Sequence, residues 1–287
     1  MKRRVCFEIP FHVSGLWKPY FTRSAISTGS VGAGLLLEPG ALCCAPSNIE
    51  VPVLPHRRFF TSNVECRIPV PIGAGFATSA VYSMAHSLFE YSSFLEAVAR
   101  AHIVEVTMRT GLGDVMAIAF GKGLVMRTKP GGPGWGHVSH TTKSLDSYSV
   151  IALLIKGAWR DTPSMLSSLK RYDCFDAVWD EFVSEPSLET FLIASNKFSK
   201  CLGMYPKWLS KIEKVNGVLG SYAKKSVGIV VVENEKVRDV RKYLEKLGMK
   251  HFEFKISSSG ARLNVRRTLN IPPSLSSEGV RVNGQKD

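Results

Sequence analysis

Pro71-Ile72-Gly73-Ala74-Gly75-Phe76-Ala77-Thr78-Ser79-Ala80 is the stretch on which the reading of this chain turns. Before it, Val64 to Val70 alternates in the manner of a strand; after it, the sequence predicts a helix running to about Glu90. Strand, glycine loop, helix is the order a phosphate cradle requires. Glycines let bare N–H groups approach an anion, and the helix N-terminus adds a favourable dipole. Gly73, Ala74, Gly75 and Ala77 permit that approach, and the Thr78 and Ser79 hydroxyls suit phosphate or a Mg2+ ion held by it. On turn chemistry alone, the same residues equally describe a tight turn with no ligand.

The better-known phosphate motifs are absent. No G-x-x-x-x-G-K-[ST] occurs, and G-x-G-x-x-[GA] fails because Thr78 stands where the last small residue belongs. Neither H-R-D nor D-F-G is present. What remains is a glycine loop of another type.

Downstream, Ala101-His102-Ile103-Val104-Glu105 is followed by Gly111-Leu112-Gly113-Asp114. Ser93 with Glu96 is a capping-box pattern, so a second helix is expected from there to Gly111. His102 and Glu105 then share a face, and the glycine turn can bring Asp114 beside them. Glu105 can hold Mg2+ and Asp114 can orient or deprotonate a hydroxyl, the division of labour phosphoryl transfer asks for. The plainer alternative makes Glu105 an exposed partner of Arg109, His102 a surface residue and Asp114 a helix cap.

Further out, Val5 to Val13 reads as a strand broken by Ser14-Gly15 and Lys18-Pro19, and Thr28 to Gly34 as a turn-rich approach to a second strand. A short helix is expected from Asp114 and a strand over Gly123 to Thr128. A boundary is placed at Ser147, before a strand from Tyr148 to Lys156. Helices follow around Pro163 to Arg171, Phe175 to Ser184, Ser187 to Leu202, Pro206 to Val215 and Val237 to Leu247. Strands are expected at Val227 to Val232 and Phe252 to Ser257, and the tail from Pro272 is expected to fray.

The 287 residues are 45% hydrophobic, ample for a core, and carry a formal charge of +13 that favours anionic ligands. The basic residues are dispersed rather than interleaved with aromatics, which argues against nucleic acid as the main partner. The six cysteines form no C-x-x-C pair and are expected to be reduced, buried thiols of a cytoplasmic protein. No signal peptide or membrane-length apolar run is read, so no membrane partner is expected. The oligomeric state stays open, with a homodimer compatible.

Taken together these segments resemble the GHMP kinase superfamily, whose loop has the form P-x-x-x-G-x-G-x-S-[SA]-A. Pro71, Gly75, Ser79 and Ala80 match, and Ala77 replaces the later glycine. Within it the chain is most similar to the archaeal pantoate kinase family, through Ile9 to Trp17, Thr28 to Gly34, the loop itself, Gly111 to Ala117 and Gly123 to Arg127. The resemblance implies an α+β, two-domain GHMP kinase fold: an N-terminal βα domain (1–147) with the loop, a C-terminal ferredoxin-like domain (148–272) and a flexible tail (273–287). It implies ATP and Mg2+ as cofactors, with Gly73, Ala74, Gly75, Ala77, Thr78 and Ser79 at the phosphates and Ser79 and Glu105 at the metal. Ser79, Glu105 and Asp114 would be catalytic, and Ser30, His102 and Arg127 would contact pantoate. His12 and Ser14 lie in the first shared segment without an assigned role. The superfamily's third glycine motif has its nearest candidate at Gly217 to Ala223, which lacks a glycine run and is followed by Lys224-Lys225. Other small alcohols as acceptors, or nucleic-acid binding on a degenerate kinase fold, remain the alternatives.

Overall fold

The structure, a computed structural model, describes residues 4–156 and 173–264. Two sequence expectations, the helix around Pro163 to Arg171 and the tail from Pro272, lie outside the described residues. The frame is a long antiparallel pair, β1 (Val5–Tyr20) and β2 (Gly29–Ala45). Ser14-Gly15 and Lys18-Pro19 do not end β1 as expected. The register shifts instead, between Ile9 and Phe11 and between Ser14 and Leu16, so Pro10 and Gly15 sit in bulges that absorb the irregularity. Nor is Gly29 to Gly34 a turn-rich approach; it is already strand. Gly32 lies at φ +154°, and a Cβ there would stand 2.1 Å from the Leu16 carbonyl oxygen, so a close backbone crossing requires the glycine.

β2 organises the rest of the sheet. Its far edge pairs in turn with β3 (Glu65–Arg67), β9 (His251–Ile256) and β4 (Leu124–Lys129), and β4 carries the short β5 (His137–His140). Beyond β9 come β6 (Tyr148–Leu154), β8 (Val227–Glu233) and β7 (Val218–Lys224), while β10 (Arg262–Leu263) edges β1. One sheet therefore runs across position 147. β6 and β8 are buried on both faces: Val150, Ala152, Ile229 and Val231 face one core, and Ile151, Leu153, Val230 and Val232 the other. Gly217 to Ala223, the nearest candidate for the superfamily's third glycine motif, falls largely within β7.

Three helices cover the N-terminal part: α1 (Thr78–Glu90), α2 (Phe94–Met108) and α3 (Asp114–Phe120). The expected cap holds, with the Ser93 hydroxyl accepting from the Glu96 N–H at 3.5 Å. Later come α4 (Asp173–Ser184), α5 (Leu188–Cys201), α6 (Leu209–Ile212) and α7 (Val237–Lys246). A Ser187–Thr190 capping box starts α5. None of the described helices is long and apolar enough to cross a membrane.

The cysteines overturn the expectation of free thiols. Cys6 is bonded to Cys44, Cys43 to Cys66 and Cys174 to Cys201. The first two pairs are cross-strand register partners, so neighbouring Cys43 and Cys44, pointing to opposite faces of β2, each meet a different strand. Sheet pairing makes these bonds, and sequence spacing carries no trace of it.

Candidate active site

The glycine loop leaves β3, turns at Pro71 and enters α1. Gly73 and Gly75 have φ of +82° and +127°, and Ala77, the residue capping α1, has φ +56°. The Gly73 N–H donates to the Thr78 hydroxyl at 3.2 Å, which holds the loop against the first turn of the helix. Residues alternate between anchor and cradle. Ala74 and Phe76 are fully buried, Phe76 packing against Phe11 and Phe254, while Gly73, Gly75, Ala77, Thr78 and Ser79 line a cavity. Ala74, expected at the phosphates, faces the other way; its carbonyl accepts from the Ser226 N–H at 3.1 Å.

Ser79 and Ser83, one turn apart on α1, meet Glu105 on α2. Ser79 Oγ donates to Oε2 at 2.8 Å and Ser83 Oγ to Oε1 at 2.9 Å. Glu105 is 1% exposed, which excludes the reading of it as a surface partner of Arg109. A residue not anticipated from sequence completes its shell: His56, in a 3-10 turn (Pro55–Phe59), places Nε2 3.0 Å from Glu105 Oε1 and 2.8 Å from the Thr110 hydroxyl. Its Nδ1 is buried without a partner among the described residues.

The turn Gly111 to Gly113 carries the chain from Glu105 to Asp114. A Cβ on Gly111 would lie 2.7 Å from Glu105 Oε2 and 3.3 Å from Asp114 Oδ2, so only glycine lets the two carboxylates flank the turn so closely. On Gly113 it would lie 2.4 Å from the Ser30 hydroxyl and 2.5 Å from Arg127 Nε. The structure thus gathers Ser30, Glu105, Asp114 and Arg127 around one glycine turn, beside Ser79.

His12 and Ser14 alternate along β1 and so reach the same point. His12 Nδ1–H donates to Asp114 Oδ1 at 2.7 Å, and the Ser14 hydroxyl lies 3.4 Å from the same oxygen. The other ring nitrogen of His12 accepts from Arg127 Nη1 at 3.3 Å, linking the guanidinium to the carboxylate through one imidazole. Lys224, at the end of β7, stands 3.8 Å from Asp114 Oδ1. Burial alone would push the Asp114 carboxyl up, but Lys224, the His12 hydrogen bond and Arg127 hold it far below the ordinary carboxylate range. Burial lowers His12 to about 4 against the pull of Asp114, so the ring is neutral at neutral pH. Burial likewise lowers Lys224 and Arg127, with Asp114 opposing.

Arg127 is 2% exposed, and its Nε has no partner among the described residues. With Ser30, Trp17, Leu112 and Asp114 it lines a second cavity, on the other side of Asp114 from the glycine loop. His102 does not line either cavity. It is buried rather than on the surface, its Nε2–H donating to the Thr28 carbonyl at 2.9 Å, two residues before Ser30. Burial lowers its pKa too.

Known proteins agree with this architecture. A phosphotransferase described as related to the CoA biosynthesis pathway superposes at TM-score 0.73 and 20% identity, over 91% of this chain and 98% of its own. A putative homoserine kinase from Listeria monocytogenes superposes at 0.61 and 11% identity, over 91% and 99%. A galactokinase from Lactococcus lactis does so at 0.58 and 12%, over 91% and 95%. The chain has the GHMP kinase fold. No family model matches the sequence of this GHMP-fold chain. In sequence it is similar to pantoate kinases. That of Methanocaldococcus jannaschii is 26% identical over 243 residues, 74% of this chain and 86% of the relative. That of Thermococcus kodakarensis is 26% identical over 246 residues, 72% and 78%. The pantoate kinase of Methanospirillum hungatei JF-1 is 26% identical over 235 residues, 71% and 78%.

Proposed function

We propose that the protein is an ATP-dependent kinase of small hydroxy acids, with pantoate as its acceptor: ATP and pantoate in, ADP and 4-phosphopantoate out. The observation that carries this reading is the pairing of two cavities across Asp114, one walled by the glycine loop and the other by Ser30 and a buried guanidinium with an unsatisfied nitrogen. A guanidinium grips a carboxylate through parallel N–H donors and keeps its charge. An acceptor bound to Arg127 by its carboxylate would present its far hydroxyl toward Asp114 and the loop. The relatives named pantoate kinase supply the choice among hydroxy acids.

In this reading Asp114 accepts a hydrogen bond from the acceptor hydroxyl and orients it. A carboxylate so strongly stabilised in its charged form is a weak proton acceptor, and phosphoryl transfer with a loose transition state demands orientation more than early deprotonation. His12 keeps Asp114 and Arg127 in register, and His102 positions the Thr28–Ser30 segment rather than touching the acceptor. Ser79 and Glu105 offer the oxygen donors that a hard divalent cation takes, and we assign Mg2+ to them. When bound, such an ion neutralises phosphate charge.

The test is a panel of acceptors with Mg-ATP, including pantoate, mevalonate and homoserine, read by ADP release and product mass. Pantoate is expected to be turned over with the highest kcat/KM. Turnover of another acceptor alone would reassign the substrate, and no turnover of any would remove the kinase reading.

A further inference from the structure

Arg127 and Lys224 are cations, both buried, facing a single carboxylate, Asp114; His12 between them is neutral. Glu105, whose oxygens accept from Ser79 and Ser83 and lie beside His56, is the carboxylate assigned to the metal ion above. A buried excess of positive charge is costly unless an anion completes it. The carboxylate of an acceptor accounts for Arg127 and Asp114 for Lys224, so it is the position of Lys224 that points to a further ligand there.

The place of Lys224 is distinctive. Its ammonium is 3.2 Å from the Ser14 hydroxyl and 3.8 Å from Asp114 Oδ1, and the residue is 8% exposed. It lines both cavities, as Asp114, Thr110 and the neighbouring Lys225 do: the one bounded by Ser30 and Arg127 and the one bounded by the glycine loop. The strand end that carries it is locked to that loop. The Ser226 N–H donates to the Ala74 carbonyl, and a Cβ on Gly75 would stand 2.9 Å from the Lys224 carbonyl oxygen. The fold thus fixes this lysine by the same contact that shapes the cradle.

Resting on the kinase reading above, we propose that Lys224 is a further catalytic residue, whose ammonium contacts the terminal phosphoryl group of the nucleotide as it passes between the two cavities. In the step, the acceptor hydroxyl oxygen bonds to the γ-phosphorus while the bond from that phosphorus to the β,γ-bridging oxygen breaks. ADP leaves with the bridging electron pair, and the hydroxyl proton departs to solvent past Asp114. Lys224 keeps its proton throughout and holds the phosphoryl oxygens by charge-assisted hydrogen bonds. A lysine is suited to this as a compact point charge with several donors.

The experiment compares Lys224→Met and Lys224→Arg with the parent protein, each checked by its melting temperature. Equilibrium binding of ADP and of a non-hydrolysable ATP analogue is measured first, with no acceptor present. Lys224→Met is expected to weaken the triphosphate analogue at least tenfold while ADP binding changes less than threefold, and Lys224→Arg to restore most of the difference. With an acceptor the parent turns over, Lys224→Met is expected to lower kcat about a hundredfold or more at a KM within threefold. Equal effects on analogue and ADP, or a kcat within threefold of the parent, would overturn the proposal and leave Lys224 a structural partner of Asp114. If Lys224→Met fails to fold, Lys224→Gln is read by the same two criteria. A parent that turns over no acceptor refutes the kinase reading, whereas the binding difference still decides the role of the lysine.

Discussion

At the scale of single residues the site separates two tasks that simple inspection would merge. Asp114 carries four positive or hydrogen-bonding neighbours, His12, Ser14, Lys224 and Arg127, so its charge is fixed before any ligand arrives. Arg127 touches Asp114 only through His12, and its Nε is buried without a partner among the described residues. Removing each should therefore fail differently. Asp114→Asn keeps the shape and the phosphate cradle but loses the charged acceptor; kcat is expected to fall about 10²–10⁴-fold, with nucleotide affinity nearly unchanged. Arg127→Ala is expected to raise the KM for the acceptor far more than it lowers kcat. Steady-state kinetics with a titration of nucleotide binding checks both, and an unchanged KM in Arg127→Ala would remove the guanidinium from the acceptor site.

At the scale of elements, the start of α1 holds an avoidable strain. Ala77 sits at φ +56°, where an L-residue with a Cβ is disfavoured by about 1–2 kcal/mol. The superfamily loop pattern has glycine at this point. Replacing Ala77 by Gly relieves the strain at an entropic cost of about 0.5–1 kcal/mol. A net gain of roughly 0.5–1 kcal/mol is expected, seen as a higher denaturation midpoint; a lower midpoint would mean that the Cβ packing outweighs the strain. The same element shows why some of the site was legible. Loop, helix cap and the i, i+3 spacing of His102 and Glu105 are local patterns, and Ser79, Glu105, Asp114, Ser30 and Arg127 emerged from them and from the resemblance. His56 and Lys224 arrive from a 3-10 turn and from the end of β7, joined to the site only by tertiary packing; Lys224-Lys225 stands out in the sequence, but nothing local ties it to Asp114. The expected strands are shorter than the observed ones because Ser14-Gly15, Lys18-Pro19 and Gly32 look like breaks, and a bulge or a close backbone crossing uses the same residues as a turn. The resemblance implies His102 at the acceptor; in the structure it lines neither cavity beside Asp114 and donates to the Thr28 carbonyl.

At the scale of the molecule, β1 is the member that both halves of the chain lean on: it pairs with β2, delivers His12 and Ser14 to the site, and accepts the Tyr222 hydroxyl of β7 on the Val13 carbonyl at 3.0 Å. Folding therefore buries His12 completely, as it does His86 on α1, and burial lowers both to about 4 from 6.5. The sign follows from linkage. Between those values the unfolded chain binds protons that the folded chain refuses, so unfolding is favoured as pH falls through that window. For His12 the full effect is about 3 kcal/mol, at about 1.4 kcal/mol per pH unit. Asp114 adds to the loss lower down, because its depressed folded value makes its stabilisation present above the ordinary carboxylate range and lost below it. His251, raised by its hydrogen bond to Glu253, works in the opposite direction, but it pairs with a carboxylate at the rim that solvent screens. The melting temperature is accordingly expected to fall steeply from pH 6.5 to pH 4.5, and His12→Asn to fall less over the same range. Equal melting temperatures at the two pH values would show that the imidazole at the centre of the site is not held neutral by the fold.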